Sequence, residues 1–323
     1  MGEMGFRLRT FRGGDEHNII ALWNSAMPSD VIGQRTFLRK VLLDPNFDPR
    51  GLIVAESAEG QLLVGFILAM VRKTPIDAGE NLDPDKGWIS AVGVSPSWRR
   101  RGVARALLQV AETFIQGQGR QAVIVSSYTP GYFWPGMDTD KYAEAISLFK
   151  GAGYVHLDDA VAMDIDLVPY EIPRNVMETE SRLRAEGFRF EYLTLASVAP
   201  LLDFVRVHFS PGWVGRVRQL LLSTTDWERV IVSKLNEQVV GYCQFGDPDG
   251  VLERFGPFGV RPDMQGKGLG KVLLAKCLET MKKQGLHTAW FLWSEEHSPA
   301  GKLYKKTGFK FSRRFHIMQK NLG

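Results

Sequence analysis

Val94-Ser95-Pro96-Ser97-Trp98-Arg99-Arg100-Arg101-Gly102-Val103-Ala104-Arg105 decides the fold, because the chain repeats its pattern as Val260-Arg261-Pro262-Asp263-Met264-Gln265-Gly266-Lys267-Gly268-Leu269-Gly270-Lys271. Val94 and Val260 stand 166 residues apart, and Gly102 and Gly268 keep that offset. Each copy reads as an apolar strand, a short turn, and small residues opening an amphipathic helix. That order sets bare backbone N–H groups at the positive end of a helix, where a diphosphate fits. Two copies imply two similar domains and a nucleotide-bearing cofactor.

Outward from the motif, both halves repeat one order of elements. In the first half, Phe6 to Phe11 alternates as a strand, and Asp15 to Trp23 and Gly33 to Leu43 read as helices. Leu52 to Ala55 and Leu62 to Val71 form a hairpin about Glu59-Gly60. Trp88 to Val94, a helix from Gly102 to Gln116, the strand Ala122 to Ser126 and a helix ending near Lys150 follow. Val155 to Ile165 closes the half as a hairpin. The second half runs through helices at Ser197 to Val207 and Val214 to Leu222, a hairpin around Asn236-Glu237, and a helix from Gly268 to Lys283. The strand Thr288 to Trp293, a helix opened by Ser298-Pro299, and the strand Phe315 to Gln319 complete it. Pro169 to Glu180, polar and proline-bearing, is expected to be a linker.

Composition narrows the class. A chain of 323 residues with 44% apolar and 24% charged residues suits two packed globular domains. A net charge of +4 is too mild for a nucleic-acid binder but favours a phosphorylated ligand. Cys243 and Cys277 are the only cysteines and have no metal or redox spacing, which fits a reducing compartment. The N-terminal residues are not those of a leader, and no apolar run is long enough to span a bilayer. The expectation is a cytoplasmic enzyme without metal, nucleic-acid or membrane partners; the sequence leaves its assembly open.

Two lookalike motifs fail. Gly266-x-Gly268-x-Gly270 has the wrong last interval for a dinucleotide fingerprint, and Lys267 is followed by glycine where a Walker loop needs Ser or Thr. What fits is Arg/Gln-x-x-Gly-x-Gly/Ala, as Arg99-x-x-Gly102-x-Ala104 and Gln265-x-x-Gly268-x-Gly270. Here the chain resembles the GNAT superfamily of N-acetyltransferases, which bind acetyl-coenzyme A (acetyl-CoA) with this segment. The resemblance implies a mixed α/β (α+β) fold of two tandem GNAT-like domains, residues 1–170 and 171–323, each a mostly antiparallel twisted sheet flanked by helices. It also implies that Val92, Val94, Arg99, Arg100, Arg101, Gly102, Val103 and Ala104 contact the cofactor in one half. Phe258, Gly259, Val260, Gln265, Gly266, Lys267, Gly268, Leu269, Gly270 and Lys271 would do so in the other. The Val260 N–H would polarise the thioester carbonyl. The basic side chains would hold the remaining phosphates or stand as solvated charges at a helix start.

The superfamily's general acid is a tyrosine just before a Gly-Phe pair, and Tyr304 matches in Tyr304-Lys305-Lys306-Thr307-Gly308-Phe309. A phenol there can protonate the departing thiolate. The first half has Phe149 in that place. The resemblance therefore implies a catalytic second domain and a catalytically silent first one. For the base, Glu295 and Glu296, with His297 beside them, follow a strand that ends at the cofactor opening. Glu253 lies farther off, and a water relay would need no single base.

The first half carries about eleven extra residues, since Gly153 and Gly308 differ by only 155. They fall within Ser127 to Asp140, where Tyr132, Trp134 and Asp138 mix ring faces with a carboxylate. With Trp293 they suit recognition of an amine-bearing sugar; the loop serves equally well as a packing plug. The loop and Arg254 to Val260 look similar to bacterial tandem GNAT proteins that acetylate glucosamine and glucosaminides. The implied reaction passes acetyl from acetyl-CoA to a primary amine of a small molecule, an amino sugar. The alternatives are a mycothiol-synthase-like or other small-amine acetyltransferase, or a non-catalytic acyl-CoA sensor.

Overall fold

The computed structural model describes residues 5–60, 62–129 and 131–323. Pro130 of the inserted loop and residues 1–4, on which the leader reading partly rests, lie outside them. The chain forms two compact units, one of Met1–Pro75, Asn81–Ala160 and Arg313–Gly323, the other of Ile76–Glu80 and Val161–Ser312.

The first unit contains β1 (Phe6–Thr10), α1 (Glu16–Ala26), α2 (Gln34–Phe37), β2 (Leu52–Ser57), β3 (Leu63–Met70), β4 (Lys86–Val94), α3 (Val103–Gly117), β5 (Ala122–Val125), β6 (Met137–Asp138), α4 (Ala143–Gly151) and the start of β7 (Val155–Asp166). The helix expected over Gly33 to Leu43 is α2 continued by a wider π-turn, Leu38–Leu42. Strands β1 to β4 pair antiparallel in sequence order, and β5 joins β4 in parallel. Val103, Leu107, Leu108, Ala111 and Ile115 of α3 recur at helical spacing and are buried on this sheet. Glycines make room for them: a Cβ at Gly65 would come 2.7 Å from Val103, and one at Gly87 2.5 Å from Ile115.

The second unit adds α5 (Arg174–Ala185), β8 (Arg189–Tyr192), α6 (Leu195–His208), α7 (Pro211–Ser223), β9 (Val230–Leu235), β10 (Gln238–Phe245), β11 (Phe255–Val260), α8 (Leu269–Lys283), β12 (Thr288–Ser294), α9 (Pro299–Thr307) and the start of β13 (Lys310–Asn321). Its sheet runs β11-β10-β9-β8, and Arg254, just before β11, forms a parallel bridge with Trp290 of β12. Val272, Leu273, Leu274, Cys277, Leu278 and Met281 of α8 are buried in its core. Cys243 and Cys277 are buried free thiols.

Two local expectations are corrected. The segment expected to link the halves is largely helical from Arg174. Val155 to Ile165 is one long strand, not a hairpin: β7 residues Val161 to Asp166 pair with β12, while β13 residues Met318 to Asn321 pair with β5. The first unit's sheet is therefore completed by the last strand of the chain. Residues 161–170 fall in the second unit and 313–323 in the first. Among the described residues, no helix is long and apolar enough to cross a membrane.

Candidate functional site

In the first unit, β4 and β5 pair only from Lys86 and Ala122 to Ile89 and Val125. Ser126 and Ser127 then take φ of 65° and 52°, and the chain leaves the sheet. The gap exposes one edge of β4. The Ser95 amide donates to the Val64 carbonyl at 2.9 Å, so in the antiparallel alternation the N–H groups of Val92 and Val94 point away from β3, towards the gap.

The turn that follows is dictated by its backbone. Arg100 and Gly102 have φ of 62° and 84°, and their counterparts Gly266 and Gly268 have 80° and 97°. Arginine thus accepts a left-handed conformation that glycine takes freely. No side chain caps α3, so its first N–H groups remain available. A cavity of about 1110 Å³ opens here, with Val92, Val94, Arg99, Arg100, Gly102, Val103 and Ala104 in its lining. Arg101 is not part of that lining: its guanidinium lies 5.2 Å from the Trp98 ring centre. Arg99 also ties the turn to α1, donating to the Ala26 carbonyl at 3.0 Å. Arg105, which the sequence reading did not single out, joins the lining. Ser90 Oγ, on the β4 wall, is buried without a hydrogen-bond partner. An uncapped helix start, open space at Gly102 and an orphaned hydroxyl fit a phosphate- and amide-bearing cofactor.

The far wall of the cavity comes from the inserted segment. Trp134, Met137, Asp138, Asp140 and Tyr142 line it with Arg313. Arg313 sits between two buried carboxylates, donating to Asp30 through Nη1 and Nη2 at 2.6 and 2.8 Å and to Asp138 through Nε at 2.5 Å. Asp30 also accepts from the Trp134 indole at 2.8 Å and the Tyr142 phenol at 2.5 Å. Burial raises the Asp138 pKa, but the Lys141 amide and the Arg313 guanidinium outweigh it and hold the carboxyl below its ordinary value. Burial, reinforced by Asp30, pushes the Tyr142 phenol up. Two carboxylates against one guanidinium leave one net negative charge. Tyr132 is placed differently: its carbonyl accepts from Lys40 at 3.1 Å.

The second unit repeats the backbone geometry. The Arg261 amide donates to the Val240 carbonyl at 2.8 Å, so the Val260 and Phe258 N–H groups point away from β10. Aromatic rings stand beside the gap beyond them. Phe258 stands where the first half has Val92, with its ring 5.9 Å from Phe255 and 6.2 Å from Tyr304. A Cβ at Gly270 would lie 3.2 Å from Phe258, and one at Gly259 would run into Phe209. Helix α5 packs on the turn itself. Arg182 donates to the Lys267 carbonyl at 2.7 Å, Lys271 donates to the Asn175 carbonyl at 2.9 Å, and a Cβ at Gly268 would stand 2.6 Å from the Thr179 methyl. Gln265 ends the short turn before Gly266, and Leu269 is in the core.

Tyr304 is 7% exposed, with Phe291 and Phe309 at ring distances of 4.5 and 5.4 Å. Burial pushes its phenol pKa up. Glu296 pairs with Lys305 at 2.9 Å. The Glu295 carbonyl accepts from Ser298 at 2.8 Å, the Glu253 carbonyl accepts from the Trp290 amide at 3.0 Å, and Trp293 is 36% exposed. Asp30, Tyr142 and Arg313 escaped the sequence reading because no motif joins residues up to 283 positions apart.

Comparison with known proteins gives these geometries a family. Residues 18–130 match the model of the acetyltransferase (GNAT) family, and residues 226–311 match the acetyltransferase (GNAT) domain. A mycothiol acetyltransferase of Thermobifida fusca (strain YX) is 25% identical over 315 residues, covering 87% of each chain. One from Nocardioides sp. (strain ATCC BAA-499 / JS614) is 28% identical over 165 residues, 48% of this chain and 52% of that protein. The match thus spans about half of that relative. Among solved structures, a fungal multi-domain GH3 β-N-acetylglucosaminidase described as having a glucosamine N-acetyltransferase region superposes with a TM-score of 0.80 at 19% identity, over 98% of this chain and 38% of that one. With a matching model in each half, the chain belongs to the acetyl-CoA-dependent N-acetyltransferases of the GNAT family.

Proposed function

We propose that this protein transfers acetyl from acetyl-CoA to the primary amine of a small polar acceptor, an amino sugar, and that the transfer takes place in the first unit. The observation that carries this reading is the cavity of about 1110 Å³, which joins the Arg99–Ala104 turn to the Asp30–Arg313–Asp138 network. In the second unit Phe258 and Tyr304 stand beside the matching gap, and α5 covers the turn. The second unit then carries out no transfer.

Acetyl-CoA supplies an activated thioester. The N–H groups at the start of α3, with Arg100 and Arg105, hold its phosphates, and the β4 amides of Val92 and Val94 receive its carbonyl and amide groups. The residual negative charge of the far wall attracts an ammonium acceptor, and the Trp134 ring offers a face for a sugar. The fungal enzyme with a glucosamine N-acetyltransferase region supports an acceptor of this class, and the two mycothiol acetyltransferases support acetyl transfer to a small molecule. We assign proton uptake to the exposed carboxylates of the same wall, Asp140 and Glu144. Phe149, also in the lining, donates no proton, so the departing thiolate would take its proton from another group or from water.

The test is thiol release from acetyl-CoA in the presence of glucosamine and related amines. Tyr304→Phe is expected to leave turnover within about twofold of the parent. A general acid is worth about 10²- to 10⁴-fold, so a loss of that size would return the chemistry to the second unit.

A further inference from the structure

His156 and Asp159 on β7 and His316 on β13 converge on one point of the first unit, outside the cavity described above. His156 Nε2 is 2.9 Å and His316 Nδ1 2.6 Å from the same oxygen, Asp159 Oδ1. The two imidazole rings stand edge to face with centres 5.0 Å apart. One ligand atom from each of the three residues lies within 4.8 Å of the other two. The group borders a separate cavity of about 220 Å³, which Lys150 and Met318 complete. All three side chains reach solvent, with exposures of 48%, 61% and 36% for His156, Asp159 and His316.

The geometry points to a binding site for a divalent transition-metal cation, with His156, Asp159 and His316 as its protein ligands. Two nitrogens and a carboxylate oxygen suit borderline cations such as Zn²⁺, Cu²⁺ and Ni²⁺, whereas Mg²⁺ and Ca²⁺ take all-oxygen sets. Zn–N and Zn–O bonds of about 2.0–2.2 Å put tetrahedral ligand atoms about 3.4 Å apart; the two imidazole–carboxylate spacings are 2.9 and 2.6 Å, and all three atoms lie within 4.8 Å, so small side-chain shifts complete the set. Three protein ligands leave a position for water, and the open face gives entry. Binding replaces the protons now shared between the rings and the carboxylate. The Lys150 ammonium, on an exposed side chain at the rim, swings outward. The site does not depend on where acetyl transfer occurs.

Its position gives the cation a rigid anchor. His316 is paired with Met137 of β6, and a Cβ at Gly136 would come 2.5 Å from the His316 carbonyl, so this strand is held tightly.

The test is calorimetric titration of the untagged full-length protein with Zn²⁺ near neutral pH, followed by Co²⁺ binding read from visible absorption. One saturable site is expected. His156→Asn with His316→Asn removes two of the three ligands and should weaken it by at least about tenfold. Asp159→Asn should weaken it as well, and His17→Asn, elsewhere in the unit, should leave it intact. The mutated side chains reach solvent, so thermal melting of the metal-free variants should match the parent. Absence of a saturable site, or unchanged affinity in the double variant, would overturn the assignment.

Discussion

Gly102→Val is expected to abolish acetyl-CoA binding, weakening it by at least about 100-fold, while the first unit stays folded. Gly102 has φ of 84°, and a valine there takes a conformation that costs an L-residue about 1–2 kcal/mol. Nothing lies within 4 Å of the added Cβ, so the branched side chain enters the cavity rather than the core. There it lies before the uncapped N-terminus of α3, the place proposed for the cofactor's phosphates. Arg100→Gly separates charge from shape. Its position already has φ of 62°, so glycine relieves backbone strain and deletes one cation proposed to bind phosphate. This variant should bind acetyl-CoA more weakly and melt no lower than the parent. Gly268→Val behaves differently, because its Cβ meets Thr179 at 2.6 Å: stability falls, and acetyl-CoA affinity measured below the melting range persists. Isothermal titration of the variants checks the prediction. Loss of binding in Gly268→Val alone, with Gly102→Val unaffected, would place the cofactor in the second unit.

The repeated turn was legible because backbone geometry leaves few options. Residues 100 and 266 differ in chemistry, yet both are left-handed. Helix α5 was hidden by its polarity. Only Val176 and Leu183 of its residues are buried, so no apolar stripe announces it. Its other signal was charge spacing: Arg174–Glu178, Glu180–Arg184 and Arg182–Glu186 are all ion pairs one helical turn apart. Most residues lining the open cavity were legible, but which half holds it was not. Tyr304 reads as an acid from its place before Gly308-Phe309, and only the structure adds the rings of Phe255, Phe258, Phe291 and Phe309 around it, on which the proposal of a packing role rests. Whether a strand gap is open depends on Val92 against Phe258, a difference of volume that no motif records. Trp134 and Asp138 do line the cavity, but their partners lie in α1's following loop and in the last strand.

That last strand supplies the second large effect. Arg313→Ala is expected to destabilise the first unit by about 3–5 kcal/mol, the usual consequence of stranding buried charges whose partner is removed. Asp30 and Asp138 have side-chain exposures of 6% and 2%, so water cannot replace the guanidinium. For a unit of this size the loss corresponds to about 10 °C in melting temperature. Arg313→Lys recovers little, since an ammonium cannot reproduce the three-nitrogen grip on two carboxylates. The pH dependence distinguishes this cause from lost packing. In the parent, the Asp138 pKa is held below its ordinary 3.8, so its contribution is present above that value and is lost as pH falls through the folded pKa. Without Arg313, burial dominates and raises the carboxyl pKa, so the variant gains relative stability on acidification. The difference in melting temperature between parent and variant should therefore narrow from pH 7 towards about pH 4, where the stranded carboxylates accept protons. A gap independent of pH would point to lost side-chain packing alone. Acceptor use should fall in parallel, with KM for the amine rising while acetyl-CoA affinity stays within about threefold, because the phosphate-binding turn does not contain Arg313. A variant that melts and turns over like the parent would show that Asp30 and Asp138 need no counter-charge.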